Sequence, residues 1–173
     1  MAISLYDGSV TSYLQTLGAV SGFLDRGLSH CRDNNINPEE IVDTRIFPDM
    51  QPFRFQIQSV VFHSIGAVDA IRGGVLHLPG DRPPHDYAAL QALIADTRDA
   101  LRKLTPEEVN GREGADVVFQ VREHKRIFTA EGFLMSFFLP NFHFHATTAY
   151  NILRSRGVPV GKLDYIGALR LKM

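Results

Sequence analysis

The sequence predicts an all-α protein, an antiparallel four-helix bundle with a small β-hairpin before the last helix. The chain has 173 residues, of which 45% are hydrophobic, so residues 1–173 are expected to form one globular domain. Apolar residues recur at three- and four-residue steps over four long segments, as in helices with one buried face. A short segment before the last helix is instead rich in β-branched and aromatic residues.

The first helix is predicted from a stripe of apolar side chains. The stripe comprises Val10, Tyr13, Leu14, Leu17, Val20, Leu24, Leu28 and Cys31. Their spacing places them on one helical face. The helix is expected to end near Asp33. A short helical turn follows, with Asn37 as its cap and Pro38 in the first-turn position.

The second and third helices are separated by a loop that cannot be regular. The second helix is predicted over residues 53–71 and ends at Gly73 and Gly74. Its expected inner line is Phe55, Ser59, Phe62 or His63, Gly66 and Ala70. Prolines and glycine make residues 78–84 a loop. The third helix is predicted over residues 86–104, and Thr105 then caps another helical turn.

The last part of the chain combines the hairpin with the fourth helix. Residues 117–121 and 126–129 are the predicted strands, joined by a polar turn. A helix resumes near Ala130, is expected to be interrupted at Leu139 and Pro140, and runs on to about Arg154.

Composition excludes several classes of function. Eighteen Lys and Arg against nineteen Asp and Glu leave no broad basic surface for nucleic acid. A single cysteine, Cys31, rules out an internal disulfide and a multi-cysteine zinc site. The longest apolar stretch, residues 132–140, is far shorter than the ~20 residues of a membrane helix. The amino end lacks the basic segment of a signal peptide. We therefore expect a cytoplasmic protein that binds neither nucleic acid nor membrane.

Histidines in the second and last helices are the main candidates for chemistry. His63 lies in the second helix, and His143 and His145 lie in the last. Helical residues turn by ~100° each, so His143 and His145 cannot both face the bundle axis. His145 continues into Ala149 and Ile152, which are expected to face inward. His143 then points toward solvent or another chain.

Two segments near the carboxyl end resemble an uncharacterised family of the DinB/YfiT-like superfamily. They are Pro-Asn-Phe-His-Phe-His-Ala-Thr-Thr-Ala-Tyr at residues 140–150 and Gly-Val-Pro-Val-Gly-Lys at residues 157–162. The helix around His63 and the order of elements fit the same family, so the resemblance covers nearly the whole chain. It implies a four-helix bundle that is often dimeric. Several superfamily members are metal-dependent thiol transferases or isomerases.

The resemblance also implies where a metal site would lie. The superfamily site uses one histidine of the second helix and an H-x-x-x-H pair of the last, and His63 and His145 match two of these positions. Ala149 stands at the third and cannot ligate a metal. Two imidazoles alone bind zinc or nickel weakly. We therefore expect no cofactor, with Zn or Ni on His63 and His145 as the alternative.

A pocket with acid–base groups is the functional interpretation of these residues. The expected catalytic residues are His63, His145 and Tyr150, since histidine titrates near neutral pH and tyrosine can donate a proton. The expected ligand-binding residues are Ser59, Phe62, Phe142 and Thr148. In the alternative interpretation, both histidines are core residues that hydrogen-bond each other or the backbone.

Three classes of function follow. The preferred class is a small-molecule enzyme without a cofactor, of isomerase, cyclase or lyase type. The alternatives are a metal-dependent transferase or isomerase and a non-catalytic dimeric binding protein. Ala149 weakens the metal alternative, and inward histidines would be costly in a purely structural protein.

A homodimer built on the first and last helices is also predicted. Gly18, Gly22 and Gly27 permit close contact between helices, and His143 with Phe144 would otherwise expose apolar surface.

Overall fold

Helices make up most of the structure, a computed structural model that describes residues 3–172. Met1, Ala2 and Met173, which the predicted domain includes, lie outside the described residues. The helices are α1 Ser12–Asp33, α2 Glu39–Val42, α3 Phe53–Phe62, α4 Ile65–Gly73, α5 Tyr87–Arg102, α6 Pro106–Asn110, α7 Ala130–Phe133, α8 Leu139–Ser155 and α9 Lys162–Ile166. The strands are β1 Val75–Leu76, β2 Asp116–Val121 and β3 His124–Thr129. Two π-helical segments, Asp7–Thr11 and Leu134–Phe138, precede α1 and α8.

Four long helical units form the predicted bundle. Within the bundle, helix α1 packs mainly against α5 and to a lesser extent against α8, and α3 packs mainly against the same two helices. Helices α1 and α3, although consecutive in the bundle, therefore occupy opposite corners. Helix α9, which has no counterpart in the sequence prediction, packs on α1 from outside. The core between the four units is strongly aromatic, with fully buried Tyr13, Phe23, Phe53, Tyr87, Phe133, Phe138 and Phe142.

The prediction of one continuous second helix is wrong, because the helix breaks at His63 and Ser64. The Ser64 hydroxyl donates to the carbonyl oxygens of Val60 at 2.8 Å and Val61 at 3.0 Å. Such side-chain bonds compete with the helical backbone pattern. His63 consequently sits at the end of α3 rather than in mid-helix. Helix α4 then ends as predicted, at Gly74 with φ 74°.

The apolar stripe predicted for the first helix is buried except at Leu14, which is half-buried, and Leu28, which is 39% exposed. Gly27 faces the core instead, and a Cβ there would collide with the hydroxyl oxygen of Tyr87. That hydroxyl donates to the carbonyl oxygen of Leu24 at 2.8 Å. Gly27 thus serves close packing within the chain, so it gives no support to the predicted contact with a second copy.

The predicted hairpin is present and belongs to a three-stranded sheet. Strands β2 and β3 are antiparallel, from Asp116 opposite Thr129 to Val121 opposite His124. Arg122 makes the tight turn with φ 53°, in the left-handed region where a glycine or asparagine would be usual. Strand β1 pairs in parallel with β2. Its two residues are too few to produce a recognisable sequence pattern.

The interruption predicted at Leu139 and Pro140 takes the form of a π-helical segment just before them. The amide of Leu139 donates to the carbonyl of Leu134, five residues back. Proline has no amide hydrogen, and its ring crowds the preceding turn. A wider turn before Pro140 accommodates that crowding without ending the helix. The last helix therefore continues to Ser155, and Gly157 with φ 86° terminates it.

Candidate histidine-pair site

The structure brings His63 and His145 together. The packing of α3 against α8 places their ring centroids 5.5 Å apart, with ring planes only 11° from parallel. His63 is 7% exposed, and His145 is half-buried. A buried histidine therefore lies behind one that reaches the surface.

Aromatic side chains surround His63, the buried member of the pair. Phe62, Phe137 and Phe138 lie with ring centroids 4.9, 6.0 and 5.7 Å from that of His63. Burial, with smaller effects of His145 and Arg82, lowers the pKa of His63 to about 3. Burial, followed by the charge of Arg82, lowers the pKa of His145 to about 4. Both imidazoles are therefore neutral at physiological pH.

A chain of hydrogen bonds fixes the tautomer of His145. The side-chain amide of Gln56, which is 2% exposed, donates to the carbonyl oxygen of Gln51 at 2.9 Å. Its amide oxygen therefore faces His145 and accepts a bond from Nδ1 at 2.8 Å. A neutral imidazole that donates from Nδ1 carries its lone pair on Nε2. Gln56 thus makes Nε2 of His145 the basic atom of the site.

His63 has unused hydrogen-bonding capacity. Its Nδ1 is buried and has no partner within residues 3–172. Buried polar atoms are nearly always paired, because an unpaired one costs folding free energy. Within the described residues, the hydrogen bonds differ from those of the alternative interpretation, in which the histidines bond each other or the backbone: His145 bonds the Gln56 side chain, and Nδ1 of His63 has no partner.

Arg82 completes the site from the loop before α5. Its Nη1 donates to the hydroxyl oxygen of Ser59 at 2.7 Å and to the carbonyl oxygen of Phe55 at 3.3 Å. The guanidinium carbon lies 4.1 Å from the centre of the Phe55 ring, a cation–π contact. The same ring meets the edge of His145 at 5.9 Å between centroids. Phe55 therefore links the arginine to the surface histidine.

The candidate residues Ser59 and Phe62 belong to this site, whereas Phe142 does not contact the pair. Ser59 is fully buried and anchors Arg82. Phe62 contacts His63 edge-on. Phe142 packs against Tyr13 in the core, with ring centroids 4.8 Å apart.

Thr148 and Tyr150 also make their contacts elsewhere. The Thr148 hydroxyl donates to the carbonyl oxygen of Phe144, one turn earlier, at 2.7 Å. Tyr150 donates to the carbonyl oxygen of Val160 at 3.5 Å, and its ring lies 6.0 Å from that of Tyr165. Neither hydroxyl is brought to the histidine pair.

Sequence reasoning missed Arg82 and Gln56 as site residues. Arg82 comes from an irregular loop, where no periodicity marks a side chain as inward-facing. Gln56 is separated from His145 by 89 residues along the chain. The available signals were an arginine within a proline-rich loop and a glutamine on the buried side of a helix, and both are weak.

The residues present do not complete a three-ligand metal centre. Ala149, at the third position implied by the superfamily, is fully buried and offers only a methyl group. Within the described chain, no group of three or more His, Cys, Asp or Glu side chains is placed to hold a metal ion. The charged side chain that acts on both imidazoles is the cation of Arg82.

A cleft of about 360 Å³ adjoins the site. Its walls include Phe62 and Arg82, so it reaches the residues that flank the histidines. Gln58 holds the loop that forms its rim, because its amide donates to the carbonyl oxygen of Pro83 at 2.9 Å. This volume lies in the range of small-molecule sites.

Among the described helices, none is long and apolar enough to cross a membrane.

The helical bundle with its small sheet is the fold of a DinB-like protein. The crystal structure of a DinB family member protein from Shewanella denitrificans is similar, with a TM-score of 0.87 and 26% sequence identity. The match covers 98% of this chain and 95% of that one. The chain belongs to DUF1993, a family described as a domain of unknown function, whose family model matches residues 5–166. No curated protein is significantly similar to it.

Proposed function

We propose that the protein is a cofactor-independent enzyme of isomerase, cyclase or lyase type that acts on a small organic molecule at the pair of His63 and His145. The observation that carries this proposal is the neutral, tautomer-fixed imidazole of His145 beside a buried His63 with an unpaired nitrogen. A structural protein would gain little from this arrangement, because its desolvated polar groups cost folding free energy.

The arrangement supports proton transfer to and from carbon or oxygen. Nε2 of His145 has a free lone pair and lies on the half-buried residue of the pair, so it is the general base. His63 stacks behind it, with ring centroids 5.5 Å apart, and is the second imidazole of the site. Phe62 and Phe137 line the site and keep its dielectric low, which strengthens each polar interaction with a bound substrate.

Ala149 is the main argument for a reaction without a metal. If a metal-dependent transferase is the correct alternative, a third donor must come from the substrate or from solvent, and zinc or nickel would be held weakly. The two forms of the proposal predict different responses to a chelator.

Proton exchange at carbon tests the proposal without knowledge of the physiological substrate. Abstraction of a proton next to a carbonyl is a half-reaction common to isomerases and lyases. A panel of small carbonyl compounds in D₂O is followed by NMR, and the wild type should accelerate deuterium incorporation into at least one of them. His145→Gln should lower that rate by roughly 10²-fold or more, since it retains volume and polarity but loses the base.

His143→Gln is the matched control, because His143 is exposed on the same helix and bonds Tyr165 at 3.3 Å. It should exchange like the wild type. Exchange that persists in His145→Gln, or that is missing from the wild type across the panel, would contradict the proposal. Exchange abolished by a chelator would support the metal-dependent alternative instead.

The homodimer also remains a proposal. Phe144 is 60% exposed on α8, which supports an apolar contact with a second copy. Sedimentation should then give a species of twice the 19.3 kDa of one chain, and a species of 19.3 kDa alone at micromolar concentration would contradict it.

A further inference from the structure

We propose that the pocket selects an organic carboxylate with a flat, unsaturated or aromatic body, and that Arg82 is the residue that binds its carboxylate. This inference rests on the proposed function only in using the same pocket. It adds the class of ligand, which the histidines alone do not specify.

The first argument is the charge of Arg82. The residue is half-buried, and within residues 3–172 it forms no ion pair with an acidic side chain. Its protein partners, the Ser59 hydroxyl and the Phe55 carbonyl, are neutral and both bond Nη1. Buried charges are normally paired, and the fork of a guanidinium matches the two oxygens of a carboxylate. The free side of this fork therefore fits an anionic ligand.

The second argument is the direction in which an anion is favoured. The cleft is also lined by Asp69 and Asp81, and Arg72 offsets the charge of Asp69, with its Nη1 3.8 Å from the Asp69 Oδ1. The neutral imidazoles of His63 and His145 do not line this cleft, and Phe55, which contacts both Arg82 and His145, connects the two places. The favoured position of a carboxylate on Arg82 is therefore the side of Phe55 and His145, where the contacting side chains carry no negative charge.

The third argument is the shape and polarity of the wall. The Phe55 ring lies between the guanidinium and His145, and Phe62 and Phe137 close the site around His63. Flat aromatic walls favour a planar ligand body. A single cation in such surroundings suits a monoanion, whereas a phosphate dianion would need more positive charge. A bound carboxylate would also raise the pKa of His145 toward the range where base catalysis is efficient.

Benzoate is the probe, and benzamide is its neutral counterpart of nearly equal shape. Binding is measured by ¹H–¹⁵N NMR titration of the wild type at neutral pH. Benzoate should bind at least 10-fold more tightly than benzamide, with shifts centred on residues around Arg82. Arg82→Gln should weaken benzoate binding by roughly 10- to 100-fold, as expected for loss of a charged hydrogen-bond donor. Arg82→Lys should restore part of the affinity, because it keeps the charge but not the fork.

Arg102→Gln is the matched control, because Arg102 is an exposed arginine at the end of α5 that pairs only locally with Asp99. Its affinity for benzoate should equal that of the wild type. Equal binding of benzoate and benzamide, full binding by Arg82→Gln, or no binding up to about 50 mM would overturn the inference. Inorganic phosphate that competes as well as benzoate would overturn the carboxylate assignment.

The variant His145→Gln separates this inference from the proposed function. It should bind benzoate within a few-fold of the wild type but lose proton exchange. If benzoate binding depends on Arg82 but the wild type catalyses no proton exchange, the proposed enzymatic function is contradicted. The proposal of a carboxylate site at Arg82 would still be supported. Proton exchange that depends on His145, without any preference for benzoate over benzamide, would support the enzyme and contradict the carboxylate site.

Discussion

Lowering the pH from 7 to 5 should reduce the free energy of unfolding through His63 alone by roughly 1–2 kcal/mol. Burial lowers the pKa of this side chain from 6.5 to about 3 in the folded state. Below pH ~6.5 this histidine is protonated in the unfolded chain but stays neutral in the folded protein. The free energy of unfolding therefore decreases as the pH is lowered. The contribution of neutral His63 to stability is complete above its pKa in the unfolded chain. It is lost progressively as the pH falls toward its pKa in the folded protein. Full linkage over these two pH units gives about 2 kcal/mol, and partial access of solvent reduces it.

The assay is urea unfolding of the wild type and of His63→Gln at pH 7, 6 and 5. Acidic residues and the other histidines titrate in both proteins, so the difference between the two pH profiles isolates His63. The wild type should lose roughly 1–2 kcal/mol more than the variant between pH 7 and pH 5. Parallel profiles would refute the reasoning, because they would mean that folded His63 takes up its proton as readily as the unfolded chain.

Three further predictions concern packing and hydrogen bonds. Gly27→Ala should destabilise the protein by roughly 2–4 kcal/mol in thermal or urea unfolding, because its methyl group displaces the Tyr87 hydroxyl from the Leu24 carbonyl. Gly22→Ala, with open space around it, should be neutral or slightly stabilising, and equal effects of the two would contradict the packing at Gly27. Tyr13→Phe should stabilise the protein by about 1 kcal/mol, since this buried hydroxyl has no partner in the described chain, and destabilisation would reveal one. Gln56→Leu should remove the fixed tautomer of His145, and unchanged ring ¹⁵N shifts would show that another group sets it.

The elements that could be predicted from the sequence are those whose signal is local. The apolar spacing of α1 and the β-branched composition of β2 are properties of short segments, and both elements are where they were expected. The break at Ser64 was invisible, because it depends on hydroxyl bonds that leave no periodic trace. The sequence predicts Leu28 in the core because it is the apolar residue at that point of the stripe. Gly27, its neighbour in the helix, faces the core instead, because the Tyr87 hydroxyl occupies the space beside it.

The site was predictable only in part. His63 and His145 could be placed together because both match positions of the superfamily metal site. Gln56 and Arg82 could not, since the partner of a side chain depends on how α3 meets α8 and on the path of an irregular loop. Tyr150 is predicted on the chemistry of its hydroxyl alone, and that hydroxyl donates to the carbonyl oxygen of Val160 instead.

The most direct test is the protonation state of His145, because the proposed chemistry requires a neutral base with its proton on Nδ1. Long-range ¹H–¹⁵N spectra of the histidine rings at pH 5.5 can distinguish the charged form from both neutral tautomers. We predict a neutral His145 with a protonated Nδ1 and a bare Nε2, since its pKa is about 4. A charged imidazolium at that pH, or a proton on Nε2, would contradict the assignment of His145 as the base.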